Sequence, residues 1–192
     1  RSGRRRRGRR KRRVVRDPLR HAPASSLAYV GIGSNLGHPR RQVARALAEL
    51  ARLPSTRVAA VSPSYVSAPL GASGPQPNYV NAVAALATSL SPQSLLCRMR
   101  AIERRHGRPR AALQPRNAAR TLDLDLLLFG RRRSRALHLM LPHPRMHLRA
   151  FVLRPLLDIA PAAIIPGRGA ARRWLLALRG QRITRTRSHR RR

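Results

Sequence analysis

Apolar and polar positions follow two different spacings along this chain. Residues 27–32 form a short apolar run that ends in a glycine-containing turn, which predicts a first strand. The segment that follows repeats apolar residues at the spacing of an amphipathic helix, and Pro54 ends it. Its apolar positions are Val43, Leu47, Leu50 and Leu53. We expect this helix to pack its apolar face against a sheet.

The middle of the chain predicts further strands and a second helix. Residues 58–67 and 79–88 are rich in apolar residues and predict strands, and the Gly and Pro residues of 68–78 predict a loop between them. Residues 91–107 begin with Ser-Pro, a pair that favours a helix start, and end with glycine. Cys97 falls in this helix, where we interpret it as a small buried core residue; a reactive thiol is the alternative.

From residue 120 onwards, short apolar segments follow one another at the spacing of hairpins. Helical patterns return over residues 149–161 and around residues 174–178. Strands and helices therefore alternate irregularly along the chain, which favours α+β layers over a doubly wound parallel sheet.

The charge divides the chain into a middle and two ends. Lys and Arg number 42 against 6 Asp and Glu, a net charge of +36. Residues 1–20 hold twelve basic groups and one acid, and residues 168–192 hold ten arginines and no acid. Such ends bury little, so we predict a disordered tail over residues 1–26, a folded domain over 27–180 and a basic tail over 181–192. The tails are either simply solvated or make non-specific contact with nucleic acid.

Several classes of protein do not suit this composition. No apolar stretch approaches the roughly 18 residues of a membrane span, and no signal peptide is expected. A single cysteine excludes an internal disulfide framework and predicts a cytoplasmic protein. The chain has no P-loop motif, and Gly31, Gly33 and Gly37 are spaced one residue too widely for a dinucleotide fingerprint. Only 3% of residues are aromatic, which disfavours an RNA-stacking module.

Asp123 and Asp125 stand two apart in the apolar run RTLDLDLLLFG. In a strand both carboxylates project from one face, while the leucines at 122, 124 and 126 point the other way. Adjacent like charges repel unless a cation lies between them. Carboxylates are hard oxygen ligands, so this pair can bridge two Mg²⁺ ions that also hold nucleotide phosphates. The alternative is a surface strand edge with unpaired acids.

Positive side chains precede and follow this pair. Guanidinium groups match phosphate oxygens in geometry, so the surroundings favour transfer of a phosphoryl-type group. These side chains are Arg108, Arg110, Arg116, Arg120, His143, Arg145 and Arg149. A zinc site at His138, His143 and His147 is disfavoured because no cysteine accompanies them and prolines bracket His143.

The chain contains, in this order, AYVGIGSNLG, PLG…QPNYVNAV, IERRHGRPR, ARTLDLDLLLFG and LPHPRMHLRAFVLRPLLDIAP. Their order and spacing resemble the 6-hydroxymethyl-7,8-dihydropterin pyrophosphokinase family over about residues 27–166. The resemblance implies a ferredoxin-like α+β fold, an antiparallel sheet with helices packed on it. It also implies transfer of pyrophosphate from ATP to the pterin hydroxymethyl group, leaving AMP, in folate biosynthesis. We expect a monomer whose partners are these two small molecules.

The resemblance also assigns residues to roles. It implies two Mg²⁺ ions with Asp123 and Asp125 as ligands, and it adds Arg108 and Arg120 to these two as catalytic residues. The implied ATP contacts are Glu103, Arg110, Arg120, Leu126, His143 and Arg149. The implied pterin contacts are Ser67, Leu70, Tyr79, Asn81, Asp123 and Phe151. The residue types suit a heterocycle, because aromatic rings stack and an amide both donates and accepts.

Overall fold

The strands and helices are described for residues 25–71, 74–107 and 118–186 of a computed structural model. The strands are β1 (Ser26–Ser34), β2 (Thr56–Val61), β3 (Tyr65–Ser67), β4 (Tyr79–Thr88), β5 (Asp123–Phe129), β6 (Ser134–Ala136), β7 (Leu139–Leu141), β8 (Ile164–Ile165), β9 (Gly169–Ala170) and β10 (Ile183–Arg185). The helices are α1 (Pro39–Ala51), α2 (Pro92–Arg105), α3 (Ala150–Ile159) and α4 (Ala171–Ala177), with a short 3-10 helix at Met146–Leu148.

Within the described residues the main sheet has six strands, and all of its strand pairs are antiparallel. Its order is β10–β3–β4–β1–β5, and β2 pairs with the same edge of β4 as β3 does. Strand β4 is long enough for both, because β3 pairs with its first residues and β2 with its last. The hairpins β6–β7 and β8–β9 lie outside this sheet. The order of strands and helices up to β5 confirms the predicted ferredoxin-like α+β fold.

Helices cover both faces of the sheet. Helices α1 and α2 pack on one face, where Leu50, Leu95, Met99 and Ile102 are fully buried with the inward residues of the strands. Helices α3 and α4 pack on the other face around a second cluster that includes Leu127. Each fully buried side chain of this size stabilises the fold by about 1.5–3 kcal/mol. The sheet is therefore the middle layer of three.

Helix α2 begins at the Ser-Pro pair, as predicted. The Ser91 side chain accepts a hydrogen bond from the N–H of Ser94 at 3.1 Å, and Pro92 occupies the first turn of α2.

Cys97 is exposed, so its prediction as a buried core residue is wrong. The reason is its place on the helix: Leu95, Met99 and Ile102 form the buried face, and Cys97 lies away from it.

Two stretches of sheet differ from the predicted boundaries. The single strand predicted over residues 58–67 is two strands, because residues 62–64, which include Pro63, interrupt the ladder. Strand β10 lies beyond the domain end predicted at residue 180, and Ile183–Arg185 pair with β3. Local sequence did not predict this strand because three residues become a strand only beside a partner. None of the helices in the described ranges has the length and apolar composition of a membrane span.

Candidate active site

A cavity of about 290 Å³ lies between the main sheet and the start of α3. Its floor is formed by β1, β4 and β5, on the sheet face that carries α3 and at the end that α3 does not cover. Its walls are residues 67–71, which begin with the last residue of β3, and residues 148–152, which include the start of α3. Both Asp123 and Asp125 line it. The leucines at 122, 124 and 126 are buried on the opposite face, which confirms the predicted alternation along β5.

Two glycines shape the cavity floor. Asn81, Gly33 and Asp123 are neighbours across β4, β1 and β5, and Gly31 is paired with Asp125 in the next row. Because glycine has no side chain, neither residue fills the space above β1. A hollow therefore separates the Asn81 amide from the two carboxylates. The fit at Gly33 is close, since a Cβ there would lie 3.3 Å from Asn81 Oδ1.

Arginine side chains form ion pairs with both carboxylates. Arg120 Nη1 donates to Asp123 Oδ1 at 2.9 Å, and Arg149 Nη1 donates to Asp125 Oδ2 at 3.3 Å. His143 Nε2 lies 3.7 Å from Asp125 Oδ1. The Asp123 and Asp125 side chains are 22% and 31% exposed, so their oxygens remain within reach of a ligand in the cavity. This end of the cavity is suited to phosphate oxygens and a divalent cation together.

His143 is partly buried beside Asp125, with 18% of its side chain exposed. Burial lowers the pKa of His143, and the nearby Arg149 and Arg145 lower it further, although Asp125 raises it. The Arg145 backbone N–H donates to His143 Nδ1 at 3.3 Å, which leaves the ring proton on Nε2. At neutral pH His143 can therefore donate from Nε2 toward Asp125 or toward an anion beside it.

The opposite end of the cavity combines an amide with aromatic rings. Asn81 Nδ2 donates to Ser67 Oγ at 3.0 Å, and both residues are buried. The Phe151 ring lines the cavity with the Arg149 guanidinium 5.7 Å from its centroid. Tyr79 also lines it, and its hydroxyl donates to the Ala118 carbonyl at 3.3 Å. Rings and an oriented amide are the groups that bind a planar heterocycle.

Asn35 joins three segments that border the cavity. Its Oδ1 accepts from the N–H of Arg120 at 2.7 Å, and its own N–H donates to the Arg120 carbonyl at 3.0 Å. Its Nδ2 donates to the Pro77 carbonyl at 3.2 Å and to Gln76 Oε1 at 3.4 Å. Asn35 is only 2% exposed. It therefore holds the end of β1, the loop before β4 and the approach to β5 together, and with them the backbone of Arg120.

Comparison with known proteins agrees with this geometry. The family model 7,8-dihydro-6-hydroxymethylpterin-pyrophosphokinase (HPPK) matches residues 29–161. The chain is 51% identical over 138 residues to the 2-amino-4-hydroxy-6-hydroxymethyldihydropteridine pyrophosphokinase of Pseudomonas aeruginosa, covering 72% of this chain and 83% of that one. It is 43% identical over 139 residues to the enzyme of the same name from Haemophilus influenzae, covering 72% and 84%. The chain belongs to the HPPK family.

A solved structure supports the fold of this HPPK family member. The Plasmodium falciparum HPPK-DHPS crystal structure superimposes with a TM-score of 0.60 at 11% identity. The match covers 80% of this chain and 44% of that chain, so the present chain spans less than half of the longer protein. At this level of identity the likeness concerns the fold alone.

The structure gathers the residues to which the HPPK resemblance assigns pterin binding. All six line the one cavity: Ser67, Leu70, Tyr79, Asn81, Asp123 and Phe151. Of those assigned to ATP, Arg120 and Arg149 line it too, and His143 lies beside Asp125. Arg108 and Arg110 fall outside the described residues.

Two other residues assigned to ATP lie away from the cavity lining. Glu103 is 5% exposed, and its Oε1 accepts from the Leu124 N–H at 2.8 Å, which ties α2 to β5. Leu126 is buried in the core under α1 and α2, so its side chain faces away from the cavity. Any ATP contact at Leu126 would therefore use its backbone.

Sequence reasoning missed three contributors to the site. Gly33 was weighed only as part of a dinucleotide motif, and Asn35 was assigned no role. Both occur in GIGSN, at the end of the predicted first strand, where a turn accounts for a glycine equally well. Arg145, noted only as a nearby positive charge, lines the cavity and holds His143 through its backbone. Finding these roles required the pairing of β1 with β4 and β5.

Proposed function

We propose that this chain transfers pyrophosphate from ATP to 6-hydroxymethyl-7,8-dihydropterin, giving AMP and the pterin diphosphate. The observation that carries the proposal is the row Asn81–Gly33–Asp123 across the cavity floor. The Asn81 amide and the Asp123 carboxylate lie about 10 Å apart in this row, two strand spacings, with a hollow between them. This separation supports a heterocycle at one end and phosphates at the other. A pterin bound at one end would direct its hydroxymethyl group to the other.

At the pterin end the chain provides orientation. Ser67 accepts one N–H of the Asn81 amide, so Oδ1 and the remaining N–H face the ring edge. Phe151 and Tyr79 supply ring faces for stacking. Holding both reactants in one geometry lowers the entropic part of the barrier, which is the main contribution expected of this end.

At the phosphate end the chain provides charge. Arg120 and Arg149 are paired with Asp123 and Asp125 and could turn to the oxygens of ATP once the carboxylates gain a cation. His143, neutral with its proton on Nε2, can donate to a phosphate oxygen. Such transfers depend on positioning and electrostatic stabilisation more than on covalent help from the protein.

The residues present fit magnesium supplied together with ATP. In the described part of the chain no group of three or more His, Cys, Asp or Glu side chains could hold a metal ion alone. Mg²⁺ is commonly bound by one or two carboxylates plus substrate phosphates and waters, which matches Asp123 and Asp125. When bound there, two ions would neutralise the phosphate charge that builds up during transfer.

One assay tests both the substrates and the type of reaction. The protein is incubated with ATP, Mg²⁺ and 6-hydroxymethyl-7,8-dihydropterin, and the nucleotide product is identified by chromatography. AMP formed in proportion to pterin diphosphate supports pyrophosphate transfer. ADP as the product would indicate transfer of a single phosphoryl group and would contradict the proposal.

Gly33 provides a test of the pterin end. Gly33→Ala is expected to weaken pterin binding by about tenfold, because the new methyl would press on Asn81 Oδ1, 3.3 Å away, and turn the amide. ATP binding should change less than twofold, since the new Cβ would contact Asn81 and Tyr79 and none of the described groups proposed to bind phosphate. Calorimetric titration of each ligand measures both values.

Gly74→Ala is the matched control for Gly33→Ala. No described residue places an atom within 4 Å of a Cβ built at Gly74, so the same substitution there should leave pterin affinity unchanged. Unchanged pterin binding in Gly33→Ala would show that the ring does not sit against Asn81.

The basic N-terminus suits a second kind of contact, with nucleic acid. Residues 1–24 lie outside the described residues and outside the family match; they hold twelve basic side chains and Asp17, a net +11. Deleting them should remove most RNA binding at low salt, because neutralising phosphates releases counterions, and should leave AMP formation intact. Ser26 is the first residue of β1, so the shortened chain should begin at Ser25.

The shortened and full-length chains are compared for RNA retention at two salt concentrations and for AMP release. RNA retention that survives the deletion would place the polyanion surface on the folded domain. Lost catalysis with intact secondary structure would place the N-terminus in the active site. A cytoplasmic, monomeric enzyme remains our prediction.

A further inference from the structure

The last described segment of the chain contacts two walls of the cavity. Residues 181–186 lie beyond the family match and within the tail predicted from charge. Strand β10 nevertheless pairs with β3, with Ile183 opposite Ser67. The segment then ends on the Thr186 N–H, which donates to the Ser64 carbonyl at 2.9 Å. It is therefore attached along the wall that carries Ser67.

Gln181, at the start of this segment, contacts the other wall. Its Oε1 accepts from the Ala150 N–H at 2.8 Å, and its Nε2 donates to the Leu148 carbonyl at 2.8 Å. These two peptide groups stand immediately before and after Arg149. The Gln181 amide thus holds the backbone on both sides of one arginine.

The start of α3 depends on this contact. Arg149 is the N-cap residue, with φ −128° and ψ 105°, and its side chain makes no capping hydrogen bond. The first N–H groups of a helix have no partner within the helix and need one from elsewhere. Gln181, 31 residues further along the chain, supplies that partner to Ala150.

The position of this helix start decides where two cavity groups lie. The Arg149 guanidinium reaches Asp125 at 3.3 Å and lies 5.7 Å from the centre of the Phe151 ring. We infer that Gln181 is a positioning residue that places Arg149 for ATP and, through the same helix start, Phe151 for the pterin. This inference rests on the proposed function, which assigns those two residues their ligands.

The test separates positioning from stability. Gln181→Met keeps the side-chain volume and removes both hydrogen bonds, whereas Gln181→Glu keeps an acceptor for the Ala150 N–H. Thr186→Ala is the matched control, because the Thr186 hydroxyl holds the same segment to the Ser64 carbonyl, at 3.2 Å, without touching the helix start. Arg149→Ala removes the guanidinium itself and gives the ATP affinity that is expected when this group is lost completely. Each full-length variant is titrated with ATP–Mg²⁺ and with the pterin, and its thermal unfolding is recorded.

We expect Gln181→Met to weaken ATP binding by about tenfold, because the variant loses the two hydrogen bonds that hold the backbone on either side of Arg149. Gln181→Glu should recover part of this loss, and Thr186→Ala should stay within about twofold of wild type even where it lowers the melting temperature. If Gln181→Met and Thr186→Ala lower the melting temperature but neither changes affinity, the segment only stabilises the fold and the inference is wrong. If Arg149→Ala itself leaves ATP binding intact, the proposed role of Arg149 fails, and the inference fails with it.

Discussion

Replacing Asp123 or Asp125 with alanine should reduce AMP formation by about a thousandfold or more, because several kcal/mol of transition-state stabilisation would depend on the metal ions proposed to bind there. Both carboxylates line the cavity and are partly exposed, and together they form its only pair of acidic groups among the described lining residues. The loss should persist at saturating Mg²⁺ and ATP. Turnover of each purified variant, measured as AMP released per minute, checks this result.

The folded state is expected to survive these substitutions. Removing one of two repelling carboxylates relieves like-charge repulsion, although Arg120 or Arg149 then loses its partner. Asp158→Asn is the control, since Asp158 accepts from the Tyr65 hydroxyl at 2.6 Å on α3 and takes no part in the cavity. That variant should keep near-normal turnover even if it is less stable. Near-normal turnover in Asp123→Ala or Asp125→Ala would remove the basis for the metal assignment.

Phe151→Ala and Asn81→Ala should each weaken pterin binding by about 1–3 kcal/mol, because one removes the ring proposed to stack on the pterin and the other the amide proposed to bind its edge. ATP binding should change less in both variants, since both substitutions keep the groups proposed to bind phosphate, namely Arg120, Arg149 and His143. Phe151→Leu should fall between Phe151→Ala and wild type, as it keeps apolar contact without the ring. The affinities are measured by calorimetric titration of each ligand.

Loss of both ligands to the same degree in these variants would point to unfolding. A far-ultraviolet spectrum and a melting curve for each variant decide that question. Asn81 donates a buried hydrogen bond to Ser67, so Asn81→Ala is expected to cost about 1–3 kcal/mol of stability as well. A pterin affinity unchanged by both substitutions would place the heterocycle elsewhere.

Local sequence was sufficient for the regular elements of the site. Strand β4 and the start of α2 follow from apolar spacing and from a Ser-Pro cap, both of which act over a few residues. The shared face of Asp123 and Asp125 follows from strand geometry alone, once the run around them is taken as a strand. The motif order was enough to predict the family, which the comparisons confirmed.

Other features depend on contacts between distant parts of the chain. Strand β10 has three residues and forms only because β3 offers an unpaired edge. Gly33 opens the cavity only because β1 lies between Asn81 and Asp123, and Asn35 reaches Arg120 only after β1 and β5 have paired. No local pattern of residues marks either role.

The sequence by itself determined the α+β elements, the family and the carboxylate pair, because each is encoded by residue type at short spacing. Only the tertiary structure decided which side chains face the cavity, that Glu103 and Leu126 are buried in helix–sheet contacts, and that the C-terminal segment belongs to the fold. The physical reason is that strand register and helix packing determine which residues a side chain contacts. These contacts connect residues that are far apart in the sequence, 31 positions for Gln181 and 122 positions for Thr186.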